Sequence, residues 1–405
     1  MEFKKAQLDN GLDIIAEINP AAQSAACGFF VRTGSRDESP DLGGVSHFLE
    51  HMLFKGADDS SAIEVNKAFD NLGAKYNAFT SEETTVYYSA VLPEYLPDVL
   101  GIWTKLLRPA LRNDDFDIEK NVILEEIAMY RDMPAFEVLD EGRSLHFGPH
   151  PCGNSVLGSE QSVKSLAAEQ MRVYFNNRYC PNNIVLACCG NLDFDRLCRQ
   201  INSACKNWQR QPAPRPLSHC PGAFQKQEHT KKGLVRRHIC LLSPAVSMQD
   251  PRRFAMSVLS SVIGDDTGSR YFWAMVDPAV AEVASMQFQA MDGTGVLYSY
   301  FCCEPANSQK VFDILDDLFA RLASEGVAED ELATAKNKIL SSIAIKSEVP
   351  MGRLLNLGFN WIYSQQYHTI ADDIRAISQV CVEDVNKLIE DFDPGRFTCY
   401  CLGPE

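Results

Sequence analysis

The sequence has no long apolar run, no excess of basic residues and no C-x-x-C motif. Because no stretch of about 18 apolar residues occurs, we expect no membrane-spanning helix. Residues 1–10 contain neither an apolar core nor a small-residue cleavage site, so we expect no signal peptide and a cytoplasmic protein. Lysine and arginine number 38 against 54 aspartates and glutamates, which gives a formal net charge of −16. This balance disfavours nucleic acid as a partner, because nucleic-acid binders carry basic surfaces.

The chain is nevertheless rich in cysteine, with 14 residues of this type. None of them has the spacing of a zinc ribbon or a thioredoxin motif. Most have apolar neighbours, as in the segment 184–189. We therefore interpret them as reduced, small residues of the core.

The length of 405 residues is too great for one ordinary core and predicts at least two domains. Strand-like and helix-like segments alternate up to a polar, proline-rich stretch, and the same cycle then starts again. We predict an α+β fold with two similar domains, residues 1–210 and 233–405, joined by a linker over 211–232. Each domain is expected to contain a mostly antiparallel sheet packed with helices.

The predicted elements follow from the period of the apolar residues and from the turn signals between them. Strands are predicted over 12–18, 25–33, 75–80, 84–92, 182–190, 239–242, 281–289, 295–304 and 397–402. Helices are predicted over 43–54, 60–72, 93–108, 115–132, 193–205, 250–263, 307–325 and 328–346, and Pro134 is interpreted as the end of the helix that precedes it.

The motif H-x-x-E-H occupies residues 47–51, within one of the predicted helices. Residues four apart lie on one face of a helix, so His47 and His51 can bind one metal ion through their imidazole nitrogens. Glu50 borders the same face, where it can reach a water on the metal and act as general base. The alternative is a helix with two solvent-facing histidines and a solvated glutamate.

A catalytic zinc ion needs a third protein ligand, and the predicted helix over 115–132 offers three glutamates. Glu119 and Glu126 are two turns apart and share a face, whereas Glu125 points about 100° away. Glu126 as ligand and Glu119 as acceptor of a histidine N–H would fit the usual metal–histidine–carboxylate arrangement. A solvated helix face beside Lys120 is the alternative.

Three segments give the chain a family resemblance: G-G-x-x-H-x-x-E-H at 43–51, the stretch 73–88, and the glutamate-bearing segment 119–127. In these the chain resembles the pitrilysin/insulinase metallopeptidases, in particular the small two-domain branch that includes mitochondrial processing peptidase subunits. The family spacing between second histidine and third ligand, here 126 − 51 = 75 residues, selects Glu126. The resemblance implies two α/β domains that form half of a clamshell, closed by a second chain.

The resemblance also implies a role for one predicted strand near the metal. Asn77, Ala78, Phe79 and Thr80 match an exposed edge to which the backbone of the substrate adds as a further strand. Such addition binds a peptide through main-chain hydrogen bonds, with little demand on its sequence. The alternative is an ordinary interior strand.

One departure from the family pattern concerns the second domain. Complete enzymes of the family carry there an arginine and a tyrosine that help to stabilise the oxyanion. An ungapped alignment places Val276 and Val283 at these positions, and neither side chain can donate a hydrogen bond. We favour the interpretation that a related partner chain supplies the two donors. The alternatives are a homodimer that works slowly and an alignment that is displaced by several residues.

The sequence therefore predicts a zinc-dependent endopeptidase that hydrolyses extended peptides or unfolded segments. It would hold one Zn²⁺ per chain and act as a dimer, with a heterodimer favoured over a homodimer. A non-catalytic structural or assembly subunit of the same fold is the main alternative. Zinc-dependent hydrolysis of another class of substrate is a third possibility.

Overall fold

The computed structural model describes residues 1–405, which divide into two units. Unit 1 comprises residues 1–128, 154–216 and 345–368, and unit 2 comprises residues 129–153, 217–344 and 369–405. Each unit contains one β-sheet and several helices, so the predicted α+β class is confirmed. None of the helices combines the length and the apolar character needed to cross a membrane.

The regular elements are numbered here in chain order. The strands are β1 (Glu2–Gln7), β2 (Asp13–Ile18), β3 (Ala25–Val31), β4 (Lys75–Thr80), β5 (Thr85–Val91), β6 (Ile184–Gly190), β7 (Lys226–Thr230), β8 (Arg237–Pro244), β9 (Val283–Ala290), β10 (Gly295–Cys303) and β11 (Thr398–Gly403). The helices are α1 (Val45–Leu53), α2 (Ala62–Asn71), α3 (Leu96–Leu106), α4 (Asn113–Arg131), α5 (Pro134–Phe147), α6 (Glu160–Ser165), α7 (Ala168–Arg178), α8 (Phe194–Cys205), α9 (Arg253–Gly264), α10 (Ser308–Glu325), α11 (Glu329–Ser347), α12 (Pro350–Ser364), α13 (Ile370–Gln379) and α14 (Val382–Phe392).

The sheet of unit 1 has the strand order β1-β2-β6-β3-β5-β4, and all its pairs are antiparallel except β2 with β6. Every residue of β3 and β6 is buried, which is why both strands are continuous apolar runs in the sequence. Strand β4 lies at one edge and is only partly buried. The apolar runs therefore occupy the centre of the sheet and leave β4 as its open margin.

The sheet of unit 2 has the order β7-β11-β8-β10-β9, with one parallel pair, β11 with β7. Its main core gathers apolar side chains from β8, β9, β10 and β11 and from helices α9, α10, α11, α13 and α14. Both sheets are thus mostly antiparallel, as the sequence predicts.

Two helices pack against the sheet that the other half of the sequence forms. Helix α12 contacts β3 and β6 in unit 1, and α5 contacts β8 and β11 in unit 2. In α12 the backbone comes so close to the sheet that a Cβ on Gly358 would lie 2.1 Å from the ring of Phe30, so only glycine fits. The predicted limits of the two domains stay a prediction: the first sheet lies within them, but β7 of the second sheet and these two helices do not.

Two local predictions differ from the structure. Helix α4 ends before Pro134, as predicted, but Pro134 is also the first residue of a further helix, α5. A proline is tolerated at the first helical position because it loses no hydrogen bond there. The predicted linker, residues 211–232, contains β7, whose residues are all exposed. A strand made of exposed polar residues and paired with β11 through its backbone shows no apolar alternation, so periodicity does not reveal it.

A buried ion pair fastens α12 to unit 1. The Arg353 guanidinium contacts Glu17 on β2 through Nε at 2.9 Å and Nη2 at 2.8 Å, with side chains 4% and 2% exposed. We expect Arg353→Met to lower the free energy of unfolding by about 3–5 kcal/mol, because it leaves the buried Glu17 carboxylate without its cationic partner and with only the Tyr367 hydroxyl as a donor. Urea denaturation would measure the loss.

The exposed pair of Arg375 with Asp372 provides the control, with side chains 62% and 41% exposed. Arg375→Met should change the stability by no more than about 1 kcal/mol. Equal losses in the two variants would contradict a special role of the buried pair.

Candidate metal centre

Helix α1 carries the H-x-x-E-H motif, and two residues fix the position of its N-terminus, Gly44 and Glu38. Gly44 has φ +90° at the residue before the helix, and a Cβ there would lie 2.5 Å from the carbonyl oxygen of Leu157. The buried Glu38 carboxylate accepts hydrogen bonds from the N–H groups of Gly44 and Ser46, both at 2.7 Å. Backbone donors that a helix leaves unpaired are thereby satisfied, and the start of α1 is set.

The side chains of His47, His51 and Glu126 meet between α1 and α4. One donor atom from each lies within 4.8 Å of the other two. Glu126 Oε2 is 3.8 Å from His47 Nε2 and 3.5 Å from His51 Nε2. A tetrahedral zinc shell with bonds of about 2.0–2.1 Å places its donor atoms about 3.3 Å apart. The three donors therefore fit a zinc ion after small side-chain adjustments, and their chemistry suits that metal.

Glu119 lies behind His51, on the same face of α4 as Glu126. Its Oε1 is 2.8 Å from His51 Nδ1, which leaves Nε2 of that ring for the cluster. Burial alone would raise the pKa of Glu119, but hydrogen bonds from His51 and Lys55 outweigh it and the pKa is lowered. A carboxylate in this position fixes the orientation and tautomer of a metal-binding histidine.

The two histidines have opposite pKa shifts. Burial, followed by the charge of His51, lowers the pKa of His47 to about 3, so this ring is neutral at pH 7. Burial also disfavours charge on His51, but its hydrogen bond to Glu119 and the nearby carboxylates raise its pKa overall. Neutral imidazole is the form that binds metal, and His47 is already in that form.

Glu50 is buried on α1 beside this cluster. Its Oε2 accepts a hydrogen bond of 2.6 Å from the Thr80 hydroxyl, at the end of β4. Burial raises the pKa of Glu50, and the negative charge of Glu126 adds to the shift, although Thr80 and His51 oppose it. A carboxylate with a raised pKa is a stronger proton acceptor, which is what a general base requires.

The edge strand β4 leads to this carboxylate. Asn77 is exposed, Ala78 is 8% exposed, and Phe79 and Thr80 are half-buried. The Ala78 N–H donates to the side-chain oxygen of Asn77 at 2.9 Å. Of these four residues only Thr80 bonds to Glu50, while Phe79 packs beside other aromatic rings. The sheet order excludes the alternative of an interior strand.

The residues aligned with the family's arginine and tyrosine lie in unit 2. Val276 is the last residue of a π-helical turn, Phe272–Val276, and packs against the core, whereas Val283 begins β9 and is 42% exposed. The nearby Arg270 makes a two-pronged ion pair with Glu331, at 2.8 Å for both oxygens. Neither valine can donate a hydrogen bond, and the arginine is already engaged.

The chain matches two protein-family descriptions and several known proteins. Residues 13–160 match the family described as insulinase (peptidase family M16), and residues 165–339 match the peptidase M16 inactive domain. A Streptomyces coelicolor protein named as an uncharacterized zinc protease is 31% identical over 416 residues, covering 99% of this chain and 89% of the relative. The chain belongs to peptidase family M16. The resemblance inferred from the three motif segments is thereby confirmed.

Other known proteins are similar to this chain in sequence or in fold. The uncharacterized zinc protease YmxG of Bacillus subtilis is 29% identical, with 99% of this chain and 98% of the relative covered. The mitochondrial-processing peptidase subunit beta of Saccharomyces cerevisiae is 26% identical, with coverage of 84% and 78%. The crystal structure of a Helicobacter pylori protease has a TM-score of 0.92 at 18% identity, with coverage of 100% and 99%, which shows a common fold.

Two residues that shape this candidate centre are absent from the sequence prediction. Glu38 caps α1 from a preceding loop, and Lys55 contacts Glu119 from the turn after α1. Glu38 has no regular spacing from the motif residues. Only the position of Lys55, four residues beyond His51 and opposite in charge to Glu119, gives a weak signal in the sequence.

Proposed function

We propose that this M16 chain is a zinc-dependent endopeptidase acting on extended peptides or unfolded segments. The observation that carries the proposal is the cluster of His47, His51 and Glu126 donors within 4.8 Å, beside Glu50 on the same helix as the histidines. Two histidines and a carboxylate are a ligand set typical of catalytic zinc. The names of the bacterial relatives, zinc proteases, support the same metal.

Each of the chain's own residues has a defined task in this reaction. When bound, a zinc ion supplies Lewis acidity, which lowers the pKa of water to about 7 and polarises the scissile carbonyl. Glu50 takes the proton of the attacking water and passes it to the nitrogen of the leaving amine. Thr80 holds Oε2 of Glu50, so that Oε1 is available for the proton. Glu119 keeps the His51 ring in its orientation.

The substrate backbone is proposed to add to β4 as a further strand. Main-chain hydrogen bonds at a sheet edge accept many sequences, provided that the peptide is extended. A strand that adds at Ala78 would replace the Asn77 side chain at the Ala78 N–H. Because β4 ends at Thr80, which bonds to Glu50, a peptide along this edge is delivered to the general base.

We further propose that a related chain completes the active site in a heterodimer. The residues aligned with the family's oxyanion donors are Val276 and Val283, which offer no donor. The absence of one such donor typically costs about 10²–10³ in kcat, so a homodimer would be a slow enzyme. The yeast relative is itself named as a subunit of a processing peptidase.

The same two valines favour a second candidate, a non-catalytic assembly subunit of family M16. The match of residues 165–339 to the peptidase M16 inactive domain leaves this candidate open. The presence of all three candidate ligands together with Glu50 counts against it, because an idle site has no chemical need for the four groups. Zinc content and cleavage separate the two candidates.

Peptide cleavage with and without metal tests the proposal. We expect the zinc-loaded chain, together with a related chain carrying the arginine and tyrosine, to hydrolyse quenched fluorescent peptides that are unstructured in solution. Chelation should abolish the activity and added Zn²⁺ should restore it, because both the activation of water and the polarisation of the carbonyl are lost with the metal. A chain that holds zinc but cleaves no peptide, either as a homodimer or together with the related chain, would contradict the endopeptidase and favour the assembly subunit.

A further inference from the structure

The Glu119 carboxylate is shared between two side chains that approach it from opposite ends. Its Oε1 is 2.8 Å from His51 Nδ1, and its Oε2 contacts the ammonium group of Lys55. The Glu119 side chain is only 6% exposed and that of Lys55 27% exposed, so solvent replaces neither contact easily. The two contacts together fix the plane of the carboxylate, whereas one alone would leave it free to turn about the remaining hydrogen bond.

The backbone that carries Lys55 is itself held in one conformation. The Lys55 N–H donates to the Met52 carbonyl at 3.1 Å, which continues the end of α1 into a turn. The next residue, Gly56, has φ +99°, and a Cβ there would lie 2.3 Å from the carbonyl oxygen of Ser60. This turn therefore requires glycine, and it directs the lysine towards α4.

A second tether joins the same segment to the start of α4. Arg112, the residue before the helix, donates to the carbonyl oxygens of Lys55 at 3.3 Å, Ala57 at 2.5 Å and Ser60 at 3.1 Å. Arg112 thus holds the backbone of the turn at the N-terminus of α4, while the Lys55 side chain reaches Glu119 further along that helix. Helices α1 and α4, which supply all three candidate ligands, are linked twice next to the cluster.

From these contacts we propose that Lys55 is a positioning residue of the metal centre, which acts through Glu119 on the orientation of His51. The proposal rests on the proposed zinc site. Without the ammonium group, Glu119 Oε2 loses the positive charge beside it in a nearly closed environment, and the carboxylate can turn away from His51. Partners of this outer kind typically contribute about 10–100-fold to metal affinity, and Lys55 is one contact further out than Glu119.

Zinc affinity is the direct measurement, made by competition with a chromophoric chelator on the full chain. We expect Lys55→Met to weaken zinc binding by about 10-fold, at the lower end for outer partners. Lys55→Arg should bind nearly as tightly as the unsubstituted chain, because a guanidinium can also donate to Oε2. Lys105→Met is the matched control: Lys105 pairs with Asp59 at 3.0 Å, but both side chains are 63% exposed, and zinc affinity should not change.

A double-substitution cycle with Glu119→Gln tests whether Lys55 acts through this carboxylate. Adding Lys55→Met to Glu119→Gln should weaken zinc binding no further, since the group that Lys55 positions is already gone. Unchanged zinc affinity in Lys55→Met, or fully additive losses, would overturn the proposal. So would a Lys55→Met chain that loses its circular dichroism spectrum, because Lys55 would then serve the fold. If the unsubstituted chain bound no zinc, the proposed function itself would fail, which is a different result from zinc binding that ignores Lys55.

Discussion

Replacement of Glu50 by glutamine is expected to lower kcat for peptide hydrolysis by about 10³-fold, within the range that general acid–base groups contribute. The glutamine keeps the size of the side chain and can still accept the 2.6 Å hydrogen bond from Thr80. It cannot take a proton from the attacking water at neutral pH, and it has none to pass to the leaving amine. Steady-state hydrolysis of an unstructured peptide, with the partner chain present, would measure the loss.

Zinc content distinguishes a lost base from a damaged site. Because Glu50 is not among the three candidate ligands, Glu50→Gln should hold as much zinc as the unsubstituted chain. Glu94→Gln, at an exposed position, provides a control for the loss of a carboxylate and should leave kcat unchanged. Full peptidase activity in Glu50→Gln would rule out the proposed mechanism.

The parts of the centre that could be predicted from sequence are those fixed by local pattern. The helix predicted over 43–54 is α1, Val45–Leu53, and the helix predicted over 115–132 is α4, Asn113–Arg131. Helical spacing alone predicts that His47 and His51 share one face of α1, and that Glu119 and Glu126 share one face of α4. The prediction that the histidines of α1 and Glu126 of α4 meet at one site needed the family spacing, because nothing in the sequence of either helix specifies which helix it packs against.

The parts that could not be predicted depend on contacts between distant residues. Helix α12 is held to unit 1 by Arg353 and Glu17, which are 336 positions apart in the chain. Strand β7 is stabilised through its backbone, and Lys55 becomes relevant only when α4 brings Glu119 beside it. In each case the feature depends on a single residue or on a backbone pairing. Sequence patterns reveal only helix and strand faces on which residues of one type recur at a regular spacing.

The substitution of Glu126 by glutamine is expected to weaken zinc binding by at least about 10²-fold, more than the loss of an outer partner such as Lys55. Glutamine fills the same space but presents a neutral amide instead of a carboxylate. His47 and His51 would then offer only two of the three ligands that a catalytic zinc ion requires. Zinc affinity by chelator competition measures the effect directly.

The neighbouring Glu125 offers a matched control on the same helix. It is exposed and points about 100° away from Glu126, so Glu125→Gln should bind zinc normally.

The variants Glu126→Gln and Glu50→Gln should also fail in opposite ways. Glu126→Gln should lack zinc and regain part of its activity when zinc is in excess, because the base is intact. Glu50→Gln should hold zinc and gain nothing from more of it. If Glu126→Gln bound zinc as tightly as the unsubstituted chain, the third ligand would have to be a different residue, and Glu119 would be the next to test.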